Sequence, residues 1–296
     1  MYQEEAGYLA LLKDIMHNGT RQYDRTGVGT IEVFGRQLRF SLADNKVPIF
    51  TTKRVAWKTA AIEMLWMLSG SDNIQPLVQQ GCRIWDEWPH KNYEQQTGTT
   101  IDIKEFAKRI AEDDEFAAIY GYTGRAYGAQ WRDWLGPNGE SIDQISNLIE
   151  DLKSNPASRR HIFTAWNPAE NANMMLPPCH KDYQFQVANE KINLMLEIRS
   201  SDVFLGLPFN VWNAALLLRL FAAETGYEPG DLVVNTGCTH IYLNHLDQVE
   251  EQISRDIRPA PIMRLTENVG VLNATLADIT IEGYDPHPVI KAPVAV

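Results

Sequence analysis

Residues 208–225 constrain the fold more than any other segment, because they are apolar nearly throughout and are bracketed by helix signals. Pro208 suits the first helical position, and Gly226 suits the position just past the last turn. A helix that is apolar around most of its circumference must be covered by protein on every side. Residues 57–69 have the same character, with Glu63 as an isolated carboxyl group in the middle. The sequence therefore predicts two buried helices and one substantial hydrophobic core.

The remaining periodic segments indicate an α+β protein. Residues 142–153 place their apolar side chains on one helical face, whereas residues 30–40 are typical of a strand with a bulge at Gly35. Residues 183–187 and 192–198 alternate like two strands of a hairpin. Strands and helices do not follow each other as βαβ units, which disfavours a doubly wound sheet.

No linker rich in Pro, Gly or Ser divides the chain, so we predict a single domain over residues 1–296. Residues 90–124 are polar at first and then carry an acidic, helix-like stretch. This segment is predicted to be a surface insertion.

Charge and composition exclude several classes. The chain of 296 residues has 27 Lys and Arg against 38 Asp and Glu, a net charge of −11. Nucleic-acid binding through bulk charge is therefore disfavoured, and any bound anion must be held by a local group of arginines. No run of 18 apolar residues is present, so no membrane-spanning helix is expected. The polar start and the sparse cysteines favour a cytoplasmic protein.

The cysteines are Cys82, Cys179 and Cys238, which are too few for a disulfide framework. Cys179 follows Pro177 and Pro178, which fix the backbone just before the thiol. It is either a structural residue or a nucleophile, and a nearby guanidinium would favour the reactive thiolate. No Cys or His grouping has the spacing of a metal site, so no metal is expected.

Several arginines are candidate anion ligands, because guanidinium groups match phosphate oxygens. They are Arg25, Arg159, Arg160 and Arg199. The alternative for each one taken alone is a surface salt bridge.

Other residues permit two interpretations. Asn210 is either a reader of a pyrimidine edge or a cap of the helix that begins near Pro208. Glu63 is either paired with a cation or a proton-transfer group. Trp85 and Trp88 are either core residues or a stacking platform. His240 and Tyr242 would share one face of a strand.

A series of motifs then resembles one known family. YDRTGVGT, TTKR, IWDEW, YGAQWRDW, SRRHI, LPPCH, RSSDVFLGLPFN, THIYLNHLDQ and IEGYDPHPVIKAPVAV follow one another from about Arg25 to the end of the chain. In this order they resemble the thymidylate synthases, a family that also includes pyrimidine nucleotide hydroxymethylases.

The resemblance implies an α+β fold in which a large twisted mixed sheet is packed with helices and joins two subunits back to back. It implies dUMP as substrate and 5,10-methylenetetrahydrofolate as one-carbon donor and reductant. The expected activity is reductive methylation of dUMP to dTMP with release of dihydrofolate. Arg159 and Arg160 would reach into the site of the neighbouring subunit. An Asn at position 210 implies uracil rather than cytosine.

The resemblance also assigns residues to roles. The implied catalytic residues are Cys179, which would add to C6 of uracil, with Glu63, Tyr127, Arg199, Asp202 and Asn210. The implied substrate ligands are Arg25, Arg159, Arg160, His180, Arg199, Ser200, Asp202, Asn210, His240 and Tyr242. The implied folate ligands are Lys53, Trp85, Trp88, Asp202, Gly206, Phe209 and Val296.

A rival activity is hydroxymethylation of dUMP, in which water instead of hydride adds to the same intermediate. Cys238 favours it, because it stands where the synthases usually carry an Asp. Trp85, Trp88 and the KAPVAV terminus favour hydride transfer, because they would close the site against water. A nucleic-acid-binding or regulatory role on the same fold is disfavoured by the charge of −11.

Overall fold

The computed structural model describes residues 2–23 and 27–294. The helices are α1 (Glu4–Asn18), α2 (Trp57–Leu68), α3 (Gln75–Gln79), α4 (Glu87–Thr97), α5 (Ile103–Glu112), α6 (Asp114–Tyr120), α7 (Tyr127–Arg132), α8 (Gln144–Ser154), α9 (Leu207–Thr225) and α10 (Leu246–Ile253). The strands are β1 (Tyr2–Gln3), β2 (Thr20–Gln22), β3 (Thr30–Ser41), β4 (Trp134–Leu135), β5 (Ser141–Ile142), β6 (Ile162–Thr164), β7 (His180–Ala188), β8 (Lys191–Asp202), β9 (Glu228–Tyr242), β10 (Ile262–Leu265) and β11 (Ile279–Glu282).

The chain divides into two compact units. The first comprises the described parts of residues 1–57, 151–162 and 179–296, and the second comprises residues 58–150 and 163–178. The single domain predicted over residues 1–296 stays a prediction. Across the described ranges, no helix combines the length and apolar character needed to cross a bilayer.

A mixed sheet dominates the first unit. Its strands follow the order β1-β3-β9-β8-β7, and β2 also pairs with β3. β1 with β3 and β8 with β9 are parallel pairs, whereas β3 with β9 and β7 with β8 are antiparallel. Helix α9 packs on β8 and β9, and α1 packs on β3. The predictions of an α+β fold and a large mixed sheet are confirmed.

The central strands reverse their side-chain alternation part way along. β3 buries Val33 and then Leu38, so the reversal falls near Gly35, which has a φ of 70°. β8 reverses in the same way between Ile198 and Ser201. The pairing of β3 with β9 keeps one register across this point, so no extra residue is inserted. The bulge predicted at Gly35 was therefore wrong, because β3 and β8, which both pair with β9, change their alternation without an inserted residue in β3.

Helix α9 confirms the core helix predicted over residues 208–225. Every residue from Val211 to Leu218 is buried, which places protein around the full circumference of the helix. The indole N–H of Trp212 donates to the carbonyl of Trp57 at 2.9 Å, so this large side chain has a polar partner inside the first unit.

The second unit contains the other predicted core helix, α2, which matches residues 57–69 closely. The segment 90–124 folds into the greater part of α4 followed by α5 and α6. Asp113 separates the last two helices, since its carboxylate accepts from the backbone N–H of Phe116 at 2.9 Å. Tyr93, Phe106 and Phe116 are buried against one another, so this segment has an aromatic core of its own.

Candidate active site

Cys179 lies where the chain enters β7, directly after two prolines. The residue is half-buried. Its carbonyl accepts a hydrogen bond of 2.9 Å from the backbone N–H of Arg199, which lies near the end of β8. The sheet thus fixes the backbone of the candidate nucleophile next to that of a candidate phosphate ligand.

A buried histidine follows the cysteine and contacts Asn210. The ring of His180 is 4% exposed, and its Nδ1 atom lies 3.1 Å from the hydroxyl of Tyr183. Burial lowers the pKa of His180 to about 4, and a hydrogen bond with the Asn210 side chain offsets part of this shift. The imidazole is therefore neutral near pH 7, and it orients the amide of Asn210.

Asn210 lies inside the first turn of α9, where its backbone N–H donates to the carbonyl of Gly206 at 3.1 Å. The N-cap position belongs to Gly206 instead. The alternative that Asn210 caps this helix is therefore wrong, and its side chain is available for a second role.

Asp202 ends β8 and shapes the turn that leads into α9. One carboxylate oxygen accepts from the backbone N–H groups of Phe204 and Leu205, both at 3.0 Å. Gly206 closes the same turn, because a Cβ atom there would lie 3.2 Å from the Asp202 carbonyl oxygen. Phe209 follows in the first turn of the helix and is half-buried. Three of the predicted folate ligands therefore belong to one short stretch of chain.

His240 stands beside Asp202 on the neighbouring parallel strand. Its ring meets that of Tyr242 edge to face with centroids 5.2 Å apart, which confirms that the two side chains share one face. Tyr242 in turn meets His245, whose Nε2 atom lies 2.7 Å from the carbonyl oxygen of Pro293. The end of the described chain is thus anchored next to the predicted sugar ligands.

Ser200 precedes this turn on β8 and pairs across the sheet with Cys238 of β9. Both Ser200 and Arg199 are half-buried, at the level where β8 reverses its side-chain alternation. The reversal makes two successive polar residues partly accessible, whereas a regular strand would bury one of them.

Lys53 is a buried cation of the first unit with a strongly lowered pKa. Its ammonium donates to the carbonyl of Phe204 and lies 3.6 Å from the centroid of the Phe204 ring. Burial lowers the pKa of Lys53 to about 7, with Asp202 opposing and Arg255 reinforcing that shift. Lys53 therefore connects the loop in which it lies to the turn that follows Asp202.

Arg159 and Arg160 are exposed. Arg159 lines a cavity of about 510 Å³ on the open face of the sheet, together with Arg39, Gln184 and Asp231. Cys179 is not among the residues that line this cavity. The cavity that Arg159 lines is thus built from side chains of the sheet and not from the candidate nucleophile.

The second unit holds the other predicted residues around one aromatic cluster. Glu63 is 9% exposed, and one of its oxygens accepts from the indole N–H of Trp85 at 2.8 Å. The Trp85 ring contacts those of Tyr127 and Trp88, at centroid distances of 6.0 and 5.5 Å. Trp85 is buried, which agrees with the core interpretation, whereas Trp88 is partly exposed.

Two predicted ligands, Arg25 and Val296, lie outside the described residues. The other cysteines differ in their surroundings. Burial raises the pKa of Cys82 to about 11, so it is an inert structural thiol at neutral pH. Cys238 is exposed and pairs across the sheet with Phe34, which is 80% exposed.

The sequence patterns do not single out Glu5, Tyr8 and Gln252. All three are buried and form hydrogen bonds around the Lys53 loop and the Asp202 turn. The sequence does show a carboxyl group, Glu5, in the first turn of an apolar helix. A Glu at this position is usually exposed to solvent, so the pattern does not predict a buried role.

The fold and these side chains define a class of protein. A half-buried cysteine, a neutral His–Asn pair and an adjacent arginine, Arg199, on an α+β scaffold fit an enzyme that acts on an anionic substrate through a thiolate.

Comparison with known proteins identifies the family. Residues 6–296 match the family described as thymidylate synthase. A thymidylate synthase of Cereibacter sphaeroides is 51% identical over 298 residues, covering 100% of both chains. Thymidylate synthases of Zymomonas mobilis and Rhodopseudomonas palustris are 49% and 48% identical over 99% and 100% of both chains. The chain belongs to the thymidylate synthase family.

Proposed function

We propose that this protein converts dUMP to dTMP, with 5,10-methylenetetrahydrofolate as one-carbon donor and reductant. The observation that carries the proposal is the match to thymidylate synthases along nearly the whole chain, with Cys179 at the start of β7 and hydrogen-bonded to Arg199 near the end of β8. The product of the reaction depends on whether hydride or water adds to the exocyclic methylene intermediate.

Uracil C5 is not nucleophilic, and the thiolate of Cys179 overcomes this by adding to C6. The addition produces an enolate that attacks the methylene carbon of the folate, so a C5–carbon bond forms. The C5 proton then leaves to a base and tetrahydrofolate is eliminated. Hydride from that tetrahydrofolate reduces the exocyclic methylene, and the thiolate departs. The products are dTMP and dihydrofolate.

Asn210 is assigned to recognition of the uracil edge, because an amide offers both a donor and an acceptor. The neutral His180 supports this role, since it bonds to Asn210 without placing a charge beside the base. His240 and Tyr242 are assigned to the sugar hydroxyl, and their contact on β9 is consistent with a shared ligand.

The phosphate is assigned to Arg25, Arg199 and Ser200, together with Arg159 and Arg160 of a second subunit. The position of Arg159 on the open face of the sheet supports a homodimer formed through that face. A chain of net charge −11 binds this dianion through a local arginine cluster and not through its overall field.

The folate is assigned to Lys53, Asp202, Gly206, Phe209, Trp85, Trp88 and Val296. Glu63 and Tyr127 are assigned to the water network that moves protons during the reaction. The hydrogen bond of Glu63 to Trp85 supports a fixed carboxyl group suited to that task. The reduced cysteines are consistent with a cytoplasmic enzyme.

Hydroxymethylation is not favoured as an alternative. The relatives that match the chain over its full length at about half identity are named thymidylate synthases. The departure at Cys238 therefore does not by itself redirect the reaction to water.

Product identification tests the proposal. The protein is incubated with dUMP and 5,10-methylenetetrahydrofolate, and the nucleotides and folates are separated by mass spectrometry. We expect dTMP and dihydrofolate, and 5-hydroxymethyl-dUMP with tetrahydrofolate would contradict the proposal. Cys179→Ser is expected to abolish turnover and leave dUMP binding largely intact, since serine keeps the shape without the thiolate. Turnover at the wild-type rate in Cys179→Ser would remove the nucleophile assignment.

A further inference from the structure

The first turn of α1 contains a buried carboxylate whose described partners all belong to one loop. Glu5 is 9% exposed. Its oxygens accept from the backbone N–H of Thr51 at 2.8 Å, the hydroxyl of Thr51 at 2.8 Å and the backbone N–H of Thr52 at 2.7 Å. A carboxylate is costly to bury without such bonds, so the position of this loop is tied to that of Glu5.

The loop held by Glu5 continues directly into Lys53. The ammonium of Lys53 reaches the carbonyl and the ring of Phe204, two residues after Asp202. Asp202 itself bonds to the backbone N–H of Phe204. A displacement of Thr52 would therefore pass through Lys53 to the turn that carries Asp202.

The same helix α1 also contacts the Asp202 turn directly. Tyr8 lies one helical turn after Glu5 and is fully buried, and its hydroxyl donates to the carbonyl of Val203 at 3.1 Å. Gln252 of α10 closes the network, because its amide donates to the Thr52 hydroxyl at 3.0 Å and accepts from Tyr8 at 3.4 Å. One helix thus fixes both the Lys53 loop and the Asp202 turn.

We infer that Glu5 is a positioning residue for folate binding, acting with Tyr8 by setting the separation between Lys53 and Asp202. The inference rests on the proposed function, in which Lys53 and Asp202 contact the folate. Glu5 and Tyr8 touch neither substrate themselves, and their effect is transmitted entirely through the loop and the turn.

Steady-state kinetics of Glu5→Gln test the inference, with Glu4→Gln as the matched control. Glu4 is the adjacent, exposed carboxylate, and it bonds to the backbone N–H of Ser41 on β3. Glu5→Gln is expected to raise KM for the folate about tenfold, as fits the loss of charge-assisted hydrogen bonds to a loop. Its kcat at saturating folate and its Kd for dUMP should stay within about twofold of those of Glu4→Gln.

The pH profile supplies a readout that general damage to the fold would not produce. Because the pKa of Lys53 is about 7, wild-type kcat/KM for the folate should fall as pH rises through that value and the ammonium loses its charge. Asp202 favours that charge and Arg255 opposes it. In Glu5→Gln the looser loop should hydrate Lys53, so the fall should move to higher pH.

Tyr8→Phe decides the question if Glu5→Gln does not fold, since it removes only one hydroxyl. It should show the same pattern with a smaller rise in KM for the folate. An unchanged KM in both variants, or a joint loss of kcat and dUMP binding, would overturn the inference. Formation of dTMP by the wild type is measured in the same series, so failure of the proposed function is recognised separately.

Discussion

At the scale of single residues, the surroundings of a side chain fix which of its possible roles it can take. His180 is a neutral imidazole because burial lowers its pKa to about 4, although a histidine in the sequence could equally carry a charge. Its bond to Asn210 then fixes the direction of an amide. The sequence identified both residues, but their contact joins β7 to the first turn of α9 and could not be predicted from spacing.

Asn210→Asp tests the base-reading role at this scale. The substitution replaces an amide, which suits O4 and N3–H of uracil, with a carboxyl group that can accept from the 4-amino group of cytosine. We expect the ratio of Kd for dUMP to Kd for dCMP to rise by about tenfold or more. Binding of both nucleotides is measured by calorimetry, and unchanged selectivity would count against base reading by Asn210.

At the scale of elements, the two apolar helices were predictable and the details of the sheet were not. Helix α9 is buried on all sides, as an apolar pattern without a polar face requires. The change of alternation near Gly35 was interpreted as a bulge in one strand, whereas the structure shows the same change in β8, which lies beyond β9 in the sheet. That reversal leaves Arg199 and Ser200 partly accessible.

Leu217→Ala tests how much the burial of α9 contributes to the free energy of unfolding. Leu217 is fully buried, and its truncation should lower the free energy of unfolding by about 2–5 kcal/mol through lost burial and the remaining cavity. Ala223→Ser, at an exposed position of the same helix, is the control and should cost well under about 1 kcal/mol. Urea denaturation measures both, and equal midpoints would show that α9 does not hold the core.

At the scale of the whole molecule, the arginine pair makes assembly part of the proposed mechanism. Arg159 is exposed and lines a cavity on the open face of the sheet, which is the face proposed to pack against a second subunit.

Subunit complementation tests that assembly. Cys179→Ser and the double variant Arg159→Ala/Arg160→Ala are each expected to be nearly inactive alone. After mixing, unfolding and refolding at equal amounts, half the dimers are hybrids, and each has one site with both Cys179 and the arginines. Activity should therefore recover to about one quarter of wild type. No recovery, with hybrids verified by native mass spectrometry, would show that the arginines serve their own subunit.

Sequence patterns predicted the α+β class and the two core helices, and the ordered motifs supplied the candidate site residues. Apolar patterns, Pro and Gly signals and ordered motifs are local properties of the chain, so they can be recognised in the sequence alone. Tertiary structure alone decided which of these residues are held together and by what. Glu5 lies 46 residues from Thr51, and Tyr8 lies 195 residues from Val203. A buried polar network between such distant segments leaves no periodic trace, because its partners are chosen by packing and by the need to satisfy a buried charge.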